Sequence, residues 1–205
     1  MADAPHVSGL REHILMASRF LRSPRTVGAV SASSRAMALE MVAGLPADHA
    51  VTVVELGPGT GAFTRAIVER LAPGSRFLAI DLEQTFVDQV RSRWPSVECV
   101  CASAVDLERL VGDRQLWPVD HIISGLPFAS LPVDVTRQIL DGIAHVLRPG
   151  GTFTTFQYLH GYSMATSKLF RRELSLRMGS QPERRVVFKN FPFSIILTWT
   201  RPGRA

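Results

Sequence analysis

The chain has 205 residues, 46% apolar and 20% charged, which suits one α/β domain with a short extension and excludes both two large domains and a disordered chain. Its formal net charge of +5 favours anionic partners, whether nucleic acid, an anionic membrane surface or an acidic protein. No apolar run approaches the roughly 18 residues of a membrane span. The N-terminus also lacks the apolar core and cleavage site of a secretion signal.

In chain order, Val7, Leu10, Ile14, Ala17 and Leu21 recur at helical spacing, with Arg11, Arg19 and Arg22 at their flanks. This predicts an amphipathic helix over residues 6–21, of the kind that lies in a lipid interface or packs on its own domain. A second helix is predicted over 35–43, with Ser33 or Ser34 as N-cap and Gly44 just past its end. Residues 1–50 thus read as a helical extension and 51–205 as the main domain.

From Val51 onward strands and helices alternate. Strands are predicted over 51–56, 76–80, 97–101, 119–124 and 152–158. Helices are predicted over 62–72, 84–94, 106–111 and 132–147, the last ended by Arg148-Pro149-Gly150-Gly151. Such a βαβα rhythm implies a mostly parallel sheet covered by helices on both faces. Residues 163–178 form a further basic amphipathic helix, with Phe170, Leu174 and Met178 on one stripe. Two β-rich runs, 185–189 and 194–200, are joined too closely for a parallel crossover and predict an antiparallel hairpin. The expected fold is therefore an α/β, Rossmann-like, seven-stranded and mostly parallel sheet, closed by a C-terminal antiparallel hairpin. Between His160 and Asn190 seven basic residues stand against two acidic ones, matching the whole chain's excess. Cys99 and Cys101 lie two apart in a predicted strand, a spacing that suits no mutual disulfide. No Cys/His spacing of metal type is present, so a reducing, cytoplasmic compartment and no metal are expected.

Glu55-Leu56-Gly57-Pro58-Gly59-Thr60-Gly61 is a strand end, a glycine turn and a helix start. Glycine permits positive φ and close backbone approach, and the turn offers bare N–H groups near a helix N-terminus. The spacing is G-x-G-x-G, not the G-x-G-x-x-G of dinucleotide binders. Glu55 would repel a pyrophosphate but suits the cationic amino group or sulfonium of S-adenosyl-L-methionine. Asp81, 20 residues past Gly61, ends the second strand, where a carboxylate accepts ribose hydroxyls, with Leu82 beside it. After the third strand, Ser103 offers a hydroxyl and Ala104 a backbone N–H to an adenine edge.

The fourth strand runs into Ser124-Gly125-Leu126-Pro127-Phe128, at a strand end that points to the ligand crevice. Pro127 stiffens this loop, so that backbone oxygens around Ser124 and Gly125 project toward a substrate amine. Phe128 could pack on a flat or cationic group.

Together with Leu147-Arg148-Pro149-Gly150-Gly151, these motifs resemble class I methyltransferases. More narrowly the chain resembles bacterial phospholipid N-methyltransferases, and the run Phe20-Leu21-Arg22-Ser23-Pro24-Arg25-Thr26-Val27-Gly28-Ala29-Val30-Ser31-Ala32-Ser33-Ser34-Arg35 also looks like their N-terminal segment. The resemblance implies N-methylation of phosphatidylethanolamine toward phosphatidylcholine, by an enzyme held peripherally on the inner face of a bacterial membrane through the N-terminal helix. It implies no obligate protein partner. A sister family, the ribosomal RNA adenine dimethyltransferases, has a similar glycine turn. It typically carries Asn where this chain has Ser124, and usually adds a C-terminal helical RNA-binding domain; nucleic acid is therefore the weaker expectation. For a lipid amine, Tyr158 is the expected headgroup contact, with its ring toward a cation. His160 is the expected proton relay, and Ser124 counts as a candidate catalytic residue. Arg171, Arg172 and Arg177 are candidates for the lipid phosphate. A non-catalytic cofactor-binding module and a hydride-transfer enzyme are the other readings.

Overall fold

The structure, a computed structural model, describes residues 29–188 and 192–203. The predicted amphipathic helix over 6–21 lies outside these residues.

Seven strands form one sheet in the order β3-β2-β1-β4-β5-β7-β6. They are β1 (Thr52–Leu56), β2 (Arg76–Asp81), β3 (Glu98–Cys101), β4 (Val119–Ser124), β5 (Leu147–Tyr158), β6 (Glu183–Val187) and β7 (Ser194–Thr200). The pairings β1–β2, β2–β3, β1–β4 and β4–β5 are parallel, whereas β7 runs antiparallel to both β5 and β6. The helices are α1 (Ala29–Met41), α2 (Ala62–Arg70), α3 (Gln84–Arg93), α4 (Leu107–Asp113), α5 (Val133–Val146) and α6 (Ala165–Met178), with short 3-10 turns at Ala104–Asp106 and Leu159–Gly161. This is the predicted Rossmann-like fold.

The central strands are near-continuous apolar runs because both faces of the sheet are covered. Val53, Val54 and Leu56 of β1 have no exposed surface. On one face α1 and α2 pack through Met37, Met41 and Ile67 against Val53, Ile123 and Ile196. On the other, α5 presents Val135, Ile139, Leu140, Ile143 and Val146 at helical spacing. With Phe153, Phe170 and Trp199 they complete the larger core, where the Trp199 indole donates to the Ser175 hydroxyl at 2.9 Å.

Two local expectations are corrected. The α1 helix begins at Ala29, so Ser33 and Ser34 lie within it and neither is its N-cap. Leu147 to Gly151 do not form a loop after α5 but open β5: Leu147 pairs with Val119, the register shifts, and Gly150 and Gly151 exchange hydrogen bonds with Arg201.

The chain leaves β1 toward β2 on one side and reaches β4 on the other. Between the carboxyl ends of β1 and β4 the sheet therefore has its topological switch point, where open α/β sheets bind ligands.

Candidate active site

The glycine turn sits on one side of this switch point. Gly57, Gly59 and Gly61 adopt φ of +73°, +54° and +86°, a region that disfavours side-chain-bearing residues. A side chain at two of them would also force a neighbour to move. A Cβ on Gly57 would stand 2.8 Å from the Leu126 side chain, and one on Gly61 would stand 2.4 Å from the Trp94 ring. Thr60 is exposed at the crest, and its carbonyl accepts from the Arg93 guanidinium at 3.0 Å. Arg93 and Trp94, at the end of α3, thus brace the turn. Sequence reading did not find them, because the pairing crosses 33 residues and carries no local signal.

Glu55 lies beneath the turn with no exposed surface. One carboxyl oxygen accepts the Thr64 hydroxyl at 2.7 Å, and the other, Oε1, is buried without a hydrogen-bond partner. Burial, less the help of Thr64, pushes this carboxyl up to about 8, and Asp81 pushes in the same direction. Asp81 stands at the rim. Its Oδ2 accepts from Gly59 N–H and its Oδ1 from Glu83 N–H, both at 3.0 Å. Burial raises its carboxyl above the usual carboxylate range against these two bonds. Each oxygen retains a further lone pair for a hydroxyl donor.

The adenine-side residues form a compact corner. The Ser103 hydroxyl accepts Val105 N–H at 3.2 Å and so caps the turn that holds Ala104, which is buried. Leu82 is half-buried against the larger core.

The fourth-strand loop faces the glycine turn across the switch point. Gly125 N–H donates to Leu56 O at 2.8 Å. A Cβ on Gly125 would stand 2.7 Å from Gly57 O, so the two loops meet backbone to backbone. Ser124 is fully buried, its hydroxyl accepting Leu126 N–H and its carbonyl accepting the Thr155 hydroxyl. It shapes the loop and does not present a side chain to an acceptor, a correction to its place among catalytic candidates. Phe128 is likewise corrected. It is 5% exposed and stacks on Phe170 of α6 with ring centroids 4.5 Å apart, inside the core.

At the end of β5 an aromatic file begins. Phe63 meets Phe156 edge-on, Phe156 meets Tyr158 edge-on, and Tyr158 stacks on the exposed ring of His160 at 5.6 Å and 12°. Burial raises the Tyr158 phenol above its ordinary value, so the group is neutral at pH 7. The three arginines separate. Arg177 is held by Asp141 at 2.6 Å and by Glu173 at 2.6 Å, so its charge is already paired. Arg172 is exposed. Arg171 turns back onto Gln157 and Tyr162.

A family model described as a methyltransferase domain matches residues 53–151, from β1 to the opening of β5. The solved structure of a 1,6-didemethyltoxoflavin-N1-methyltransferase from Burkholderia thailandensis, with S-adenosylhomocysteine bound, superposes with a TM-score of 0.67. It has 20% identity and covers 98% of this chain and 93% of its own. The chain has the Rossmann-like methyltransferase fold. An ornithine lipid N-methyltransferase of Singulisphaera acidiphila is 28% identical over 147 residues, which span 70% of this chain and 77% of that protein. A ribosomal RNA small subunit methyltransferase A of Chlorobium phaeobacteroides is 32% identical, but over only 46% of this chain and 32% of its own length.

The methyl donor of the methyltransferase domain is S-adenosyl-L-methionine, and the site fits it. A glycine turn without Cβ atoms leaves backbone open to a nucleoside, Asp81 stands at the rim for ribose hydroxyls, and the unpartnered Glu55 oxygen lies below for positive charge. Among the described residues, no group of His, Cys, Asp or Glu side chains is placed to hold a metal ion.

Proposed function

We propose that this methyltransferase N-methylates the primary amine of a membrane lipid headgroup, acting on phosphatidylethanolamine and its methylated intermediates toward phosphatidylcholine. The observation that carries the reading is the likeness to a lipid N-methyltransferase over most of both chains. The RNA-directed relative matches less than half of this chain and a third of its own length, and gives a weaker alternative.

The rim around the aromatic file supports a lipid surface as the acceptor's home. Leu159, Met164, Phe188 and Phe193 are exposed there, at 45%, 54%, 72% and 42%. They share one end of the sheet: Val187 pairs with Ser194, Ser194 with Tyr158, and Leu159 N–H donates to Phe193 O at 2.8 Å. Apolar side chains on projecting turns, in a chain of net charge +5, suit an anionic bilayer. The predicted helix over 6–21 adds a second contact. No helix among the described residues is long and apolar enough to cross a membrane.

S-adenosyl-L-methionine supplies an activated methyl group, so most of the acceleration asked of the protein is alignment. An alkyl ammonium with pKa near that of lysine, about 10, must lose a proton before it attacks. The neutral Tyr158 phenol accepts a hydrogen bond from the amine while its ring faces the cation that forms on methylation. His160, stacked on Tyr158 and open to solvent, carries the proton away. The Gly57–Gly125 contact fixes the distance between the donor and acceptor sides.

Incubation with methyl-labelled S-adenosylmethionine and vesicles of phosphatidylethanolamine, then thin-layer separation, tests the reading. Label is expected in mono-, di- and trimethylated lipid. Label only in added ribosomal RNA, or in no lipid extract, refutes it. Deleting residues 1–22 is expected to weaken flotation with anionic vesicles while the core stays folded, and unchanged flotation would remove the helix from the account.

A further inference from the structure

Behind the end of β5, on the sheet face opposite Tyr158, four polar residues gather under α6. Gln157 is 8% exposed and Ser167 1%. Arg171 donates to Gln157 Oε1 at 2.5 Å and to Tyr162 O at 2.9 Å, and its guanidinium carbon lies 3.8 Å above the Tyr162 ring. Gln157 Nε2 donates to the Ser167 carbonyl at 3.5 Å. Ser167 and Arg171 are four residues apart on α6 and so share a face.

The bonds of this cluster do not balance internally. The Ser167 hydroxyl and the Tyr162 hydroxyl are both buried without a hydrogen-bond partner. Both hydrogen-bond partners of Arg171 are neutral, and no carboxylate among the described residues pairs with it, whereas Arg177 less than two turns later is held by two. Burial presses the Arg171 guanidinium below its ordinary value, as does the nearby charge of Arg184, against an opposing effect of Tyr162. A half-buried fork with no counter-charge, beside two hydroxyl donors with no acceptor, is an arrangement that an oxyanion satisfies.

We propose that Arg171, with the hydroxyls of Ser167 and Tyr162, forms a binding site for the anionic group of the acceptor, a phosphodiester or a carboxylate. The assignment of that group to the acceptor rests on the lipid-amine reading. An ethanolamine headgroup carries its phosphate, and an amino-acid headgroup its carboxylate, a few bonds from the amine. Gln157 and Tyr158 are successive residues on β5 and face opposite sides of the sheet. An acceptor with its amine at Tyr158 and its anion at Arg171 therefore straddles the end of that strand.

The test has a binding arm and a kinetic arm. Inorganic phosphate and acetate are titrated separately into the full-length protein while the Arg171 Nε and Tyr162 ring resonances are followed by NMR. One of the two anions is expected to give a saturable shift, which identifies the phosphate or the carboxylate source. Arg171→Gln abolishes the shift. Ser167→Ala weakens it while leaving thermal stability equal or slightly higher, since removing a buried unpartnered hydroxyl relieves a desolvation penalty. In methyl transfer to lipid vesicles, Arg171→Lys, which keeps the charge and loses the fork, is expected to raise KM about 10- to 100-fold with kcat within about twofold, as for a lost charge-assisted hydrogen bond. No saturable shift with either anion overturns the site, as does a Ser167→Ala variant that loses stability and leaves anion affinity unchanged. If an anion binds through Arg171 but no lipid is methylated, the site stands and the lipid reading falls. If lipid is methylated with KM unchanged in Arg171→Lys, the reading stands and the site falls.

Discussion

Replacing Glu55 with glutamine separates what this carboxyl does for the fold from what it does for the ligand. Burial without a second partner raises it from 4.5 to about 8. Below pH 4.5 folded and unfolded chains both hold the proton, and the group makes no difference to stability. Between 4.5 and about 8 the folded chain keeps a proton that the unfolded chain has lost, so stability falls as pH rises; above about 8 the loss levels off. Each tenfold change in proton affinity is about 1.4 kcal/mol, so the ionised Glu55 costs the ligand-free fold about 4–5 kcal/mol at pH 9. The glutamine amide brings its own unmet N–H groups, worth about 1–3 kcal/mol, and can still accept from Thr64. The net gain at pH 9 is about 1–4 kcal/mol, or about 2–16 °C in Tm for a chain of this length. Thermal unfolding of both proteins from pH 5 to pH 9 checks this, and parallel profiles would refute the reasoning. The same substitution is expected to weaken S-adenosylhomocysteine binding strongly. Calorimetry in buffers of different ionisation enthalpy should show proton release on binding to the parent protein near pH 7 and none from Glu55→Gln. Tight binding by the variant would remove Glu55 from the site.

Two further substitutions address the geometry. Gly125→Ala puts a methyl group 2.7 Å from Gly57 O, a backbone atom that cannot yield as a side chain would. It is expected to cost about 1–3 kcal/mol and to weaken S-adenosylhomocysteine at least about tenfold; calorimetric affinity equal to the parent's would show that the two loops do not depend on each other. Phe128→Ala empties a stacked site beside Phe153 and Phe170. A loss of about 3–5 kcal/mol by denaturant unfolding is expected, with little change in acceptor KM for the folded fraction. A KM effect without a stability effect would return Phe128 to the substrate.

The fold was legible where the sequence alternates uninterrupted apolar runs with glycine and proline breaks. Val119–Ser124 and Ser194–Thr200 coincide with the predicted strands because each is bounded by such breaks. Near Arg148-Pro149-Gly150-Gly151 the same punctuation misled. Proline and glycine are expected to end an element, yet here they accommodate a register shift inside β5, which depends on Arg201 from the far end of the chain. Ser33 and Ser34 have good capping chemistry, but the helix had already started at Ala29. In the site, the glycine turn and its two carboxylates could be read from spacing, since φ and strand ends are local properties. The roles of Ser124, Phe128 and Arg177 could not, because each is decided by partners far along the chain: Thr155, Phe170 and Asp141. The Gln157, Tyr162 and Ser167 cluster was invisible for the same reason.

The seam where Gly57 and Gly125 touch is built from main chain alone. On the proposed reading, methyl donor and acceptor are therefore spaced by atoms that no ordinary substitution alters, short of adding a Cβ. Phe188 and Phe193, exposed between β6 and β7, take no part in that seam. A domain organised in this way can exchange one acceptor for another by redecorating its margin, and relatives whose names specify lipid or RNA acceptors are what such a division of labour would produce.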